Sequence, residues 1–232
     1  HGLVIDPAVG SAGMFIQTTH FQEQNNTHNP MQFVGQEKTE NNQKLAIMNM
    51  VVHGLDASNI VEGNSFYSAL PDYIGQCDFV MANPPFNVDD VALATVEKDP
   101  RFNSYGLPRN KTKAKKTDDN AAKAETVPNA NYLWISYFYA YLNETGRAGF
   151  VMASSATDSQ GSDKDIREKL IKTGHVDVMI SVGNNFFYTK SLPCSLWFFD
   201  KGKAENLKDK VLFIDARNYY TVVDRTLNEW TE

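Results

Sequence analysis

Cysteine is scarce in this chain: Cys77 and Cys194 are the only two in 232 residues, and each stands alone in an apolar stretch. That spacing makes neither a metal-ligand pattern nor a disulfide framework, and it implies a reducing, cytoplasmic compartment. Long apolar runs are also missing. None approaches the roughly 18 residues of a membrane-spanning helix, no signal peptide is visible, and a membrane role is not expected. Positive charge is in short supply, with 22 Lys and Arg against 28 Asp and Glu and a net charge of −6. Tight autonomous binding to nucleic acid rests on neutralising phosphates, so such a chain would need another source of affinity to act there. Two familiar nucleotide loops are lacking too. The turn from Pro7 to Gly13 has no Lys-Ser/Thr after its second glycine, which excludes a phosphate-cradling loop. Nor does it follow G-x-G-x-x-G, so a dinucleotide fingerprint is unsupported.

What is present is an ordinary globular composition, 42% hydrophobic and 22% charged, in a chain long enough for one large α/β domain. His1-Gly2 runs at once into Leu3-Val4-Ile5, an abrupt start that reads as a fragment without its natural N-terminal part. Apolar runs at 3–6, 33–37, 58–65, 77–82, 146–152, 175–182 and 194–200 predict seven strands, and 211–215 looks like one further strand. Helices are expected at 14–24, 39–54, 131–145 and 163–173, the second with a wide apolar face in which methionines fill the core. The link between the sixth and seventh strands is too short for a helical crossover, so these two should pair antiparallel. Residues 87–129 are the least regular part. They include a cationic run, Arg109, Lys111, Lys113, Lys115 and Lys116, that fits either a phosphate-contacting arm or a solvated insertion. From about 218 the chain is expected to trail away, helical or frayed.

The most chemically informative stretch is Asn83-Pro84-Pro85-Phe86, directly after the strand-like run 77–82. Two consecutive prolines donate nothing to a ladder and hold φ nearly constant. They present the Asn83 amide and the Pro84 carbonyl rigidly at the carboxyl edge of the sheet, where open α/β sheets bind ligands. An exocyclic nucleobase amine is a poor nucleophile, because its lone pair is delocalised into the ring. Two rigid acceptors, the Asn83 side-chain oxygen and the Pro84 carbonyl, would draw its nitrogen toward a tetrahedral, reactive geometry without an ionised base. Phe86 suits the face of the same base. Taken alone, the tetrapeptide also fits a Pro-Pro turn with Phe86 in the core.

Upstream lie the makings of a second binding site. Asp6 ends the first strand just before the turn Pro7-Ala8-Val9-Gly10-Ser11-Ala12-Gly13, a position that suits a ligand with a cationic amine. The glycines allow close backbone approach, and the following helix offers free N–H groups. Glu37 ends the second strand, 24 residues after Gly13, placed to accept ribose hydroxyls. Asn64 follows the third strand and serves equally as a reader of a ring edge or as a turn residue. Phe187, in the loop 183–193, is a second candidate face for a stacked base or a core plug.

With these pieces in order, Asp6-Pro7-Ala8-Val9-Gly10-Ser11-Ala12-Gly13-Met14 resembles motif I of the adenine-N6 DNA methyltransferases, and Asn83-Pro84-Pro85-Phe86 matches their motif IV. Arg101-Phe102-x-x-Tyr105-Gly106, Asn131-Tyr132-x-Trp134-Ile135 and Gly146-Arg147-Ala148-Gly149-Phe150-Val151 are similar to the modification subunits of type I restriction–modification systems. The resemblance implies a Rossmann-like, S-adenosylmethionine-dependent methyltransferase fold, a mostly parallel seven-stranded sheet with a terminal antiparallel hairpin. It also implies S-adenosylmethionine as cofactor, with Asp6 and the Pro7, Ala8, Gly10 and Gly13 turn on its methionyl part, Glu37 on the ribose and Asn64 on the adenine, and Asn83 bordering it. Asn83, Pro84, Pro85 and Phe86 would then act on an adenine flipped out of double-stranded DNA, helped by Phe187. The implied partners are specificity and restriction subunits and a second modification subunit. Residues 1–217 would be the catalytic core, lacking the family's N-terminal helical region and carrying an insertion at about 109–127, with 218–232 a tail. Asn64 stands where the family usually has Asp; Val9 and Ala12, in place of Cys and Gly, read as packing changes. Two other readings stay open: methylation of a glutamine amide or an RNA base, and a non-catalytic scaffold or cofactor sensor.

Overall fold

The computed structural model describes residues 2–27, 29–109, 125–187, 191–225 and 227–230. Eight strands form its central sheet: β1 (Gly2–Asp6), β2 (Met31–Glu37), β3 (Ile60–Glu62), β4 (Cys77–Ala82), β5 (Leu142–Ala153), β6 (Val176–Val182), β7 (Cys194–Asp200) and β8 (Leu212–Asp215). Their spatial order is β8-β6-β7-β5-β4-β1-β2-β3. Only β7 runs against the rest, slotted between β5 and β6 and antiparallel to both. The expected antiparallel pair is therefore present, but the expected seven strands are eight. The eighth is the run at 211–215, which adds parallel to β6 at the sheet edge because β7 has taken the inner position.

Four longer helices accompany the sheet: α1 (Gly13–Gln24), α2 (Glu40–Val52), α3 (Asn131–Tyr141) and α4 (Ser162–Lys172). No helix among the described residues is long and apolar enough to cross a membrane. In α3 every residue but Ala140 is buried. Its aromatic rings meet the sheet on one side, Phe138 against Phe150 and Tyr132 against Trp197. On the other, Trp134 meets Phe66 and Tyr137 meets Phe102. This explains why the segment is apolar all round rather than on one face.

Three local expectations change. First, α3 stops at Tyr141 instead of running to 145. Leu142 pairs with Cys77, Asn143 donates to Asp78 Oδ1 at 2.8 Å, and the ladder resumes at Arg147 opposite Phe79. A bulge thus claims residues that helix propensity would have kept. Second, the wide apolar face of α2 is mostly unburied. Ala46 and Met50 are in the core, whereas Met48, Val51 and Val52 are 59%, 62% and 77% exposed. The helix rests on β2 and β3 by a narrow stripe, so methionine at 48 is not core filling. Third, the supposed tail contains a short antiparallel ladder, Tyr220–Val222 with Asn228–Trp230.

Register matters most on the other half of the sheet. Ile5 lies opposite Val80, Asp6 opposite Gly35, and Glu37 opposite Glu62. The carboxyl ends of β3, β2, β1 and β4 therefore lie side by side. Gly35 permits the motif turn to lie close over β2: a Cβ there would come within 2.8 Å of Ile60 Cδ1 and 2.9 Å of Val9 Cγ2.

Candidate active site

Between β1 and β4 the strand order turns round, with β2 and β3 on one side and β5 on the other. Ligands of open α/β sheets bind at such switch points, outside the carboxyl ends of the strands. Both sequence motifs end there.

Asp6 closes β1 and is 1% exposed, and its Oδ1 accepts the Ala8 N–H at 2.9 Å. Burial pushes its pKa up to about 7; the Ala8 bond opposes the rise and the nearby Glu37 charge adds to it. A carboxyl group held so deep gains most from a cationic partner, which would restore its ionised form. In the following turn Gly10 and Ala12 adopt left-handed φ values of 55° and 62°. For Ala12 this costs about 1–2 kcal/mol, partly offset by a wholly buried methyl group worth about 0.8 kcal/mol. The change at position 12 therefore bears on the backbone and not on packing alone.

Glu37 ties the turn to the end of β2. Its Oε2 accepts the Gly10 N–H at 3.2 Å, while Oε1 accepts from Thr39 N–H at 3.4 Å and Asn42 Nδ2 at 3.3 Å. Asn64 is both a turn residue and a wall of the cleft. Its Oδ1 accepts the Phe66 N–H at 3.1 Å, leaving the amide nitrogen as its group for a ligand. Pro7, Ala8, Glu37, Asn64 and Pro85 surround one cavity of about 260 Å³, with Phe66 and Trp134 as apolar walls. Asp6, Gly10 and Gly13 do not line it: Asp6 is buried next to Pro7 at the end of β1, Gly10 is bonded to Glu37, and Gly13 opens α1.

At the end of β4, Pro84 is buried, Asn83 and Pro85 are exposed, and Phe86 is half-buried. No hydrogen bond to the Asn83 side chain is formed among the described residues, so its oxygen is free to accept. Phe187 stands edge-on to Phe86, with ring centroids 6.5 Å apart and planes at 74°. The two aromatic candidates, a hundred residues apart in sequence, thus share one place.

Sequence reasoning missed two supports of this site. The first is a clamp of asparagines. Asn87, at a left-handed φ of 54°, donates its N–H to Asn131 Oδ1 at 2.9 Å, and its own Oδ1 accepts from Asn129 and Asn131 Nδ2, each at 2.9 Å. The clamp stitches the exit of the Pro-Pro turn to the start of α3. Its signal was an asparagine one residue past the motif, the non-glycine residue that best tolerates that conformation. Asn131→Ala is expected to lower the unfolding free energy by about 2 kcal/mol, since it removes two hydrogen bonds made by a buried side chain. A urea midpoint equal to that of the unaltered chain would show the clamp to be idle. The second support is the C-terminal hairpin. Asn228 N–H donates to the Asn185 carbonyl at 2.7 Å, and Trp230 packs on Phe186 at 4.5 Å. The hairpin therefore holds the loop that carries Phe187. Of the cationic run, Arg109 pairs with Glu97, and Lys111, Lys113, Lys115 and Lys116 lie outside the described residues.

Sheet order and motif placement together define a protein of the methyltransferase fold. A solved structure of the type I restriction–modification methyltransferase subunit from Streptococcus thermophilus superposes on the whole chain with a TM-score of 0.80, at 22% identity and over 45% of its own length. The chain belongs to the N-6 DNA Methylase family, whose model matches residues 1–232. It is 32% identical to the type I restriction enzyme MjaIX methylase subunit of Methanocaldococcus jannaschii, which it matches over 100% of its own length and 39% of that subunit. It is also 32% identical to the HindI methylase subunit of Haemophilus influenzae, over 99% of the chain and 48% of the subunit. The chain thus spans less than half the length of either curated relative.

Proposed function

We propose that this chain is the catalytic core of a DNA adenine-N6 methyltransferase that serves as the modification subunit of a type I restriction–modification complex. The observation that carries this reading is Asn83-Pro84-Pro85-Phe86 at the switch point, with an Asn83 side chain that has no partner among the described residues, beside the cleft walled by Pro7, Glu37 and Asn64. The residues fit S-adenosylmethionine: Asp6 is a buried carboxyl group whose raised pKa calls for a cation, and the cleft joins polar groups to aromatic walls. Asp6 and the turn through Gly13 would hold the methionyl part, Glu37 the ribose, and Asn64 with Phe66 and Trp134 the adenine ring. When bound, the cofactor supplies an electrophilic methyl group.

The chain's own residues then act on the acceptor. A paired adenine presents its amine inside the duplex, so the base must be flipped out to reach the site. Phe86 and Phe187 hold the base by its face and edge. The Asn83 side-chain oxygen and the Pro84 carbonyl would accept the two amine hydrogens, withdrawing the nitrogen lone pair from ring conjugation and making it nucleophilic toward the methyl group the cofactor would supply, whose former bonding electrons would stay with the sulfur. One amine proton then leaves to solvent. Positioning and preorganised acceptors carry this step, with no ionised base among the residues assigned.

The net charge of −6 agrees with a chain whose phosphate contacts come from elsewhere, a specificity subunit foremost. A restriction subunit and a second modification subunit complete the proposed assembly. Both curated relatives are named as type I methylase subunits. In the same reading, residues 1–217 form the core of a longer chain with a helical region before it, 109–127 are an insertion, and 218–232 are the remaining C-terminal part. Cys77 and Cys194 are buried free thiols, in keeping with a cytoplasmic location. The test is calorimetric titration of S-adenosylmethionine, followed by transfer of its labelled methyl group to adenine in duplex DNA by the full-length protein with its partners. Cofactor binding without transfer to adenine would favour the scaffold or another acceptor, and failure to bind would sink the methyltransferase reading.

A further inference from the structure

A buried arginine far from both motifs reaches into the cofactor cleft's framework. Arg101 is 2% exposed, and its guanidinium is held by Asp99: Nε lies 3.0 Å from both carboxylate oxygens and Nη2 lies 2.6 Å from Oδ2. Its remaining nitrogen, Nη1, donates to the Ser65 carbonyl at 3.0 Å and to the Tyr141 hydroxyl oxygen at 3.5 Å. The Ser65 hydroxyl in turn donates to the carbonyl of Pro7. Ser65 is 4% exposed, and it lines the cleft together with its neighbours Asn64 and Phe66. Pro7 lines the facing wall.

Burying a guanidinium against a partly exposed carboxylate is a poor way to stabilise a fold, since well-packed apolar residues of equal volume usually do as well or better. What a guanidinium adds is a rigid fork of donors with defined directions. Here one arm of the fork holds the Ser65 backbone carbonyl, and the hydroxyl of the same residue holds the backbone of the motif turn. Phe102 and Tyr137 stack against the same guanidinium, at 4.7 and 5.1 Å, and fix its plane.

We propose that Arg101 and Ser65 are positioning residues for the methyl donor: the relay Asp99–Arg101–Ser65–Pro7 sets the separation between the motif turn and the Asn64 turn. This gives a role to Arg101-Phe102 within the stretch Arg101-Phe102-x-x-Tyr105-Gly106. The inference rests on the reading of the cleft as the S-adenosylmethionine site.

Ser65→Ala removes the single hydroxyl link and leaves the Asp99–Arg101 ion pair intact. In the full chain it is expected to raise the Kd for S-adenosylmethionine about fivefold to tenfold, the worth of one hydrogen bond. The thermal midpoint should fall by the few degrees that one lost buried hydrogen bond costs, and amide exchange at Ala8–Gly10 should quicken in the ligand-free protein. Arg101→Lys, which keeps the charge but loses the fork, is expected to weaken binding in the same direction. Unchanged affinity in Ser65→Ala would overturn the positioning role, whether or not exchange quickens, because a purely structural tie moves stability and exchange but not affinity. An unaltered chain that takes up no cofactor would instead sink the methyl-donor reading, and with it the relay as a cofactor device. The two failures are thus told apart by the unaltered chain.

Discussion

Asn83→Ala in the full-length protein is expected to lower the rate of methyl transfer about a thousandfold, the upper end of what losing one preorganised group at a reacting centre costs. Cofactor affinity should be unchanged, because the interaction removed is made with the acceptor amine. The effect should be confined to chemistry: Asn83 is exposed and its side chain has no partner among the described residues, so stability should move by no more than about 0.5 kcal/mol. Asn83→Asp keeps an acceptor oxygen in place and is expected to retain more activity than the alanine variant. Single-turnover transfer of labelled methyl, alongside calorimetry, separates these terms. A rate within about tenfold of the unaltered enzyme would remove Asn83 from the catalytic role and leave the Pro-Pro turn as a structural stop.

Asp6→Asn should have two large effects of opposite sign. The carboxyl group titrates near pH 7 in the folded chain against 3.8 as the ordinary value, mainly through burial. Between those two values the folded state holds a proton that the unfolded state has lost. Stability must therefore fall as pH rises from about 4 to about 7. An asparagine does not titrate, so the variant should be more stable than the unaltered protein above pH 7, by about 4 kcal/mol at most, and similar to it near pH 3. Cofactor binding should move the other way, weakening about a hundredfold as the buried charge partner of a cationic amine is lost. In the unaltered protein, affinity should decline about tenfold for each pH unit below 7 until it levels off near that of Asp6→Asn, since only the ionised carboxylate attracts the cation. Urea unfolding at pH 3 and pH 8, with calorimetry across the same range, checks all of this. A variant that loses stability at pH 8 would mean that Asp6 is a structural carboxylate.

Much of the site was legible before the fold was known. Asp6, the turn to Gly13, Glu37 and Asn83 to Phe86 each follow a strand-like run, and strand ends are easily read when apolar residues give way to Pro, Gly or an acid. The eighth strand was visible as an apolar run at 211–215, but its membership of the sheet was not. Joining parallel to β6 depends on β7 having entered the sheet between β5 and β6. The end of α3 was misjudged because helix propensity continues past Tyr141, and only pairing of Leu142 with Cys77 overrides it. The asparagine clamp and the arginine relay were invisible for a common reason. Their members are 44 and 36 residues apart in the chain, and nothing local marks them as partners.

By itself the sequence determined the strand ends and the chemistry available at each of them, because rigid turns and terminal acids are local properties of a few adjacent residues. Tertiary structure alone decided that Phe86 and Phe187 meet edge to face, that Asp6 is buried at the end of β1, and that Arg101 braces Ser65. Contact, burial and a shifted pKa depend on which distant segments exclude water from a given atom, and strand order in the sheet sets that.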